Sequence, residues 1–172
     1  VQREAFFTGK AGLQRLHEER TSPDSSAAWK DTAMYTQADM DLSYKQGLGR
    51  TSVTAGAGIT TIDYSSVDLL SGGTDDLSER DRKLYNLNTR IAYELLPSAQ
   101  PFIAGRYEWR AYDQEEAQRD SEGYRIGLGT GFDLGGITTG EVFAGYMQQN
   151  YDDREDISGA WFGLNLLWNV TQ

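Results

Sequence analysis

Thr36-Gln37-Ala38-Asp39-Met40-Asp41-Leu42-Ser43-Tyr44-Lys45 is the stretch on which the fold turns. Ala38, Met40, Leu42 and Tyr44 alternate with Gln37, Asp39, Asp41, Ser43 and Lys45. Successive side chains of a strand point to opposite faces, so strict alternation of apolar with charged residues predicts a two-faced β-strand. The same period recurs along the chain. Residues 85–94 set Tyr85, Leu87, Thr89, Ile91 and Tyr93 against Asn86, Asn88, Arg90 and Glu94. Residues 124–134 set Tyr124, Ile126, Leu128, Thr130, Phe132 and Leu134 against Arg125, Gly127, Gly129, Gly131 and Asp133. Residues 158–169 set Phe162, Leu164, Leu166 and Trp168 against Trp161, Gly163, Asn165 and Asn169.

Weaker alternation fills the intervals at about residues 5–18, 51–64, 101–112 and 138–151, which makes eight expected strands. The connections alternate as well. Tight turns at 46–49, 96–99 and 135–137 follow the even strands, and long polar loops such as 21–30, 71–82 and 113–122 follow the odd ones. Short turns at one end and long loops at the other are the arrangement of outer-membrane barrels, whose short turns face the periplasm. The expected fold is therefore all-β, an antiparallel up-and-down transmembrane β-barrel. Residues 1–172 read as a single outer-membrane domain.

Composition agrees with this reading without selecting it. The formal net charge of −10 argues against nucleic acid, whose phosphates need a basic surface. The chain has no cysteine, which removes disulfides and thiolate metal sites. No run approaches the roughly twenty apolar residues of a membrane-crossing helix. The negative mean hydropathy is compatible with a barrel, because only alternate strand residues meet lipid. The chain starts at Val1 without a basic-then-apolar leader, so the expectation is a processed chain or a segment of a longer barrel.

The polar face carries the candidate functional residues. Lys10, Asp39, Asp41, Arg90, Glu94, Arg106, Glu108, Arg110, Arg125, Asp133 and Glu141 would line a lumen. They would either tune the passage of solutes or fill a narrow barrel with ion pairs. On the apolar face, Tyr44, Tyr93, Phe132 and Trp168 lie near the short turns and read as an aromatic girdle at headgroup level. Tyr64, Tyr112 and Tyr151, each beside an aspartate, are expected to mark the opposite, outer interface.

Other features have plainer readings. Gly127-x-Gly129-x-Gly131 and Gly56-x-Gly58 fall at alternate strand positions, with no following helix to make a phosphate loop. Acidic runs at Asp75, Asp76, Glu79 and Asp81, at Glu115, Glu116, Asp120 and Glu122, and at Asp152, Asp153, Glu155 and Asp156 read as solvated loops. None has the spacing of a calcium loop, so no metal is expected. His17 is the only histidine, with no partner serine motif, and no catalytic constellation stands out. An enzyme is not expected, and neither is a cofactor.

The string from Arg119-Asp120-Ser121-Glu122-Gly123-Tyr124 through Phe132-Asp133-Leu134 and Gly140-Glu141-Val142-Phe143-Ala144-Gly145-Tyr146 resembles a family. It continues through Asn150-Tyr151-Asp152-Asp153 and Asp156-Ile157-Ser158-Gly159 to Trp168-Asn169, and 16–24 adds to the likeness. These residues resemble the putative beta-barrel porin family of bacterial outer-membrane proteins, often found beside exopolysaccharide genes. The resemblance implies an outer-membrane location, contact with lipid and lipopolysaccharide, and a porin-like role. It also implies an alternative, a non-conducting scaffold partnering polysaccharide-export components. Members of that family are generally longer than this chain. A soluble ligand-binding β-barrel is the remaining alternative, and it requires the two faces to be reversed.

Overall fold

The computed structural model describes residues 5–23, 25–114, 120–152 and 154–169. Eight long strands run up and down in chain order: β1 (Ala5–His17), β2 (Met34–Leu48), β3 (Thr51–Tyr64), β6 (Arg82–Tyr93), β7 (Ala99–Tyr112), β8 (Ser121–Leu134), β9 (Thr138–Tyr151) and β10 (Ile157–Trp168). Every neighbouring pair is antiparallel, in the order β1-β2-β3-β6-β7-β8-β9-β10. A two-stranded hairpin, β4 (Val67–Asp68) with β5 (Thr74–Asp75), and a short 3₁₀ turn at Ser78–Arg80 lie in the loop between β3 and β6. The eight long strands have 12 to 15 residues, more than the roughly 9–11 that cross a bilayer at a tilt.

The turns follow from their residues. Leu48 pairs with Thr51 around Gly49-Arg50, and Gly49 adopts φ +67, which costs little without a Cβ. Leu134 pairs with Thr138 around Gly135 and Gly136, whose φ values are +71 and +75. The Asp133 carboxylate accepts the Gly136 N–H at 2.7 Å and closes that turn.

Directly opposed residues of an antiparallel pair share a face, so the register assigns faces across the whole sheet. One row runs Phe6, Lys45, Thr54, Arg90, Ala104, Gly127, Gly145, Trp161. The adjacent row on the other face includes Tyr44, Ala55, Thr89, Gly105, Ile126 and Tyr146. Leu42, Ile91, Leu128 and Leu166 all fall on this second face and are 51%, 50%, 63% and 59% exposed. They do not converge on a shared interior, which is where a soluble barrel would hold them.

The polar face is the inner side of the sheet's curl. Arg90 on β6 and Glu141 on β9 are three strands apart, about 14 Å on a flat sheet. Their side chains nevertheless meet at 2.8 Å. Among the described residues β1 pairs with β2 alone and β10 with β9 alone, so the sheet is not closed between its edges.

The long-loop end corrects one expectation. Rather than remaining wholly solvated, the loops after β1 and β3 fold on each other around Trp29, Ala33, Val67 and Leu77, all buried, with Tyr64 and Leu69 against them. Apolar residues lacking strand period found burial only by packing between loops distant in sequence. The Trp29 indole N–H donates to Asp75 at 2.7 Å, and Trp29 forms a bridge with Leu69. Of the acidic loop residues, Glu115, Glu116 and Asp153 lie outside the described residues.

Candidate functional site

The inner face is built from the polar half of each alternating strand. The register places Lys10 opposite Asp41, and Asp39 opposite Thr60. Asp39 accepts the Thr60 hydroxyl at 2.8 Å and the Gln37 amide at 3.0 Å. On β6 the Arg90 guanidinium makes a two-pronged contact with Glu141, at 2.8 and 3.2 Å, with its carbon centre 3.6 Å from the Phe102 ring centroid. Glu94 lines a cleft of about 450 Å³ with Gln100 and Glu141 near the short turns. Asp133 shares this face at the strand end, where it caps the turn to β9.

Arginines gather on β7 and β8. Arg106 lies directly opposite Arg125, and Glu108 sits one rung nearer the long loops. The two Glu108 carboxylate oxygens divide between the guanidinium groups, Oε1 to Arg106 at 2.6 Å and Oε2 to Arg125 at 3.1 Å. Arg110, two residues further along β7, has no carboxylate partner among the described residues. The four groups therefore hold three positive charges and one negative in a chain whose net charge is −10.

All eleven expected lining residues thus stand on one face, but they do not form a single network. Arg90 with Glu141, and Arg106 with Glu108 and Arg125, are separate clusters. Asp39 is held by neutral donors. The proposed girdle residues stand on the opposite, apolar face. Tyr44 packs on Phe7 at 4.8 Å between centroids, Tyr93 opposes Thr51, Phe132 opposes Gly140, and Trp168 opposes Thr138.

The register corrects the reading of Tyr64, Tyr112 and Tyr151 as outer-interface markers. Tyr64 opposes Tyr35 and stacks on it at 5.1 Å, Tyr112 opposes Arg82, and Tyr151 opposes Ser121. All four tyrosines are on the inner face at the long-loop end. Arg82, which sequence reading passed over, lies 5.8 Å from the Tyr64 ring and 5.9 Å from the Tyr112 ring. Residue type suggested lipid contact, whereas strand phase decides facing. Counting by twos from Arg106 and Arg110 would have reached Tyr112.

Alternation had already set Trp161 on the polar face, whereas Phe102 and Phe143 on the same face went unread. A Cβ on Gly145 would stand 2.6 Å from Trp161 Nε1, and one on Gly127 would be 2.8 Å from the same indole. The glycines leave the space in which Trp161 lies across the sheet. Phe143 and Phe102 lie similarly over Gly163 and Gly129. The Trp161 indole N–H has no partner among the described residues and borders a cleft of about 420 Å³ with Arg90, Arg106 and Arg125.

Above the rim, Arg80 pairs with Glu18 at 3.2 Å and lies 5.3 Å from the Trp29 ring. Asp81 accepts the Tyr64 backbone N–H at 2.6 Å. Burial raises the Asp81 carboxyl above the usual aspartate range, and the Tyr64 N–H opposes that rise. Asp63, Asp113 and Asp76 reinforce it. His17 ends β1 at the same rim and is exposed. Among the described residues no three His, Cys, Asp or Glu side chains could hold a metal.

An up-and-down antiparallel sheet with an apolar outer face, a charged inner face and segregated loops defines the architecture of a membrane β-barrel wall. The chain belongs to the family described as "Putative beta-barrel porin 2", whose family model matches residues 1–172, the whole chain. No curated protein and no solved structure matches it.

Proposed function

We propose that the inner face is the wall of a charged aqueous passage across a bacterial outer membrane, and that the protein is a porin-like passive channel rather than an enzyme. One observation carries the reading: the charged residues stand together on the face toward which the sheet curls, while the apolar face is left exposed. That division suits lipid and lipopolysaccharide outside and water inside. Hydrocarbon cannot satisfy the free backbone groups of β1 and β10, so a membrane-embedded form needs both edges paired.

The test is conductance of the purified full-length protein in planar bilayers. Stepwise current is expected, with ion selectivity that changes when Arg106 and Arg110 are neutralised. A bilayer that stays silent at high protein load would remove the channel reading. The folded loop cap around Trp29 favours a second reading, a non-conducting scaffold that presents this surface to polysaccharide-export components. A silent bilayer together with specific capture of such components through the cap would support it.

A further inference from the structure

The arginine cluster on β7 opens toward the long loops into a cleft of about 210 Å³. Its walls include Arg106, Arg110, Asn86, Ser121, Gln149 and Tyr151, with Glu108 at the base. The register brings them together. Arg110, Ser121 and Tyr151 form one row across β7, β8 and β9, and Asn86, Glu108 and Gln149 belong to the next. We infer that this cleft is a binding subsite for a small hydroxylated anion, of the sugar-acid or sugar-phosphate class.

Three features carry the inference. Glu108 already spans Arg106 and Arg125, so it leaves the Arg110 fork open to an anion, and a guanidinium is suited to planar two-point recognition of carboxylate or phosphate. Beside Leu84, Tyr85 and Trp109, the remaining walls carry the amides of Asn86 and Gln149 and the hydroxyls of Thr60, Ser121 and Tyr151, which both donate and accept, as a ligand bearing several hydroxyls requires. The volume lies below the roughly 300–1,000 Å³ of drug-sized pockets, which limits the ligand to about one ring. Glu108 acts here as an internal competitor, holding with its own carboxylate the guanidinium that the ligand would share.

The inference rests on the inner face being wet, as the channel reading requires, but not on conduction. It is therefore tested by binding. Calorimetric titration of the detergent-solubilised full-length protein with glucuronate, glucose 6-phosphate and glucose is the experiment. Glucuronate, glucose 6-phosphate or both should bind, and glucose should not; the two anions separate the carboxylate source from the phosphate source. Arg110→Gln should weaken binding about tenfold or more, the loss of a charge-assisted contact. Glu108→Gln should tighten binding, and raising ionic strength should weaken it for both anions.

Opposite signs at two neighbouring residues separate recognition from damage to the fold, and unchanged heat-modifiable migration of both variants would show that they fold. Arg50→Gln, in the exposed short turn between β2 and β3 and outside the lining residues, should leave affinity unchanged. No binding of either anion by a protein that conducts would overturn the subsite and spare the channel. Equal binding of glucose, or equal weakening by Arg50→Gln, would overturn it as well.

Discussion

Substituting Leu128 by arginine tests the placement of the apolar face against lipid. Leu128 is at the middle of β8, opposite Ile103 and Ala144, and is 63% exposed. Fully burying a leucine is worth about 1.5–3 kcal/mol, so lipid covering that fraction contributes about 1–2 kcal/mol. Leu128→Ala should lose most of this contribution. Leu128→Arg adds the cost of a charge at the bilayer midplane, for a total of about 2–4 kcal/mol. In water the same change at an exposed position would fall within about 0.5 kcal/mol. Leu134 has nearly the same exposure, 62%, but ends the strand at the short turn, so Leu134→Arg should cost only about 0–1 kcal/mol. Gln100→Arg, on the inner face beside Glu94 and Glu141, should change stability by less than about 0.5 kcal/mol. The assay is reversible denaturant unfolding from lipid vesicles, followed by tryptophan fluorescence. If Leu128→Arg and Leu134→Arg behave alike and near neutrally, the apolar face meets water and the membrane assignment is wrong.

Other expectations follow from single contacts. A double-mutant cycle of Arg90→Gln with Glu141→Gln should give a coupling of about 1 kcal/mol, the scale of a well-formed but one-third-exposed pair; zero coupling would make the bridge incidental. Gly145→Ala would drive a Cβ onto the Ile126 carbonyl and to 2.7 Å from Gly127 Cα, so it should cost about 1–3 kcal/mol in the same unfolding assay. Gly159→Ala meets nothing within 4 Å and serves as its near-neutral counterpart. Because folding raises the Asp81 carboxyl, the folded cap binds the proton more tightly than the open chain. Its contribution is complete below the ordinary aspartate range and is lost as pH rises through the raised value. Hydrogen exchange of amides in residues 65–81 should therefore quicken across that window. Asp81→Asn, which retains an acceptor for the Tyr64 N–H, should exchange slowly throughout, and an unchanged profile would exclude Asp81 as the cause.

Alternation was enough to place Asp39 and Asp41 on one face of β2 and Leu42 on the other, because a strand's period of two is local and needs no partner. It likewise grouped Arg90, Arg106, Glu108, Arg110 and Arg125, and the loop lengths supplied the up-and-down order. What sequence reading could not supply was anything that depends on which strand lies beside which. The pairing of Arg90 with Glu141 spans 51 residues, and Glu108 is shared between its own strand and the next. The inward facing of Tyr64 and Tyr151 was settled by register, since tyrosine suits both an interface and a wet wall, whereas that of Tyr112 already followed from the alternation through Arg106 and Arg110. The loop cap around Trp29 had no periodic signal at all, because its burial comes from two loops meeting. Local chemistry thus determined the faces and the family of fold. The tertiary arrangement decided which charges neutralise each other and that Arg110 meets no carboxylate among the described residues, because electrostatic partners are set by distance in space rather than along the chain.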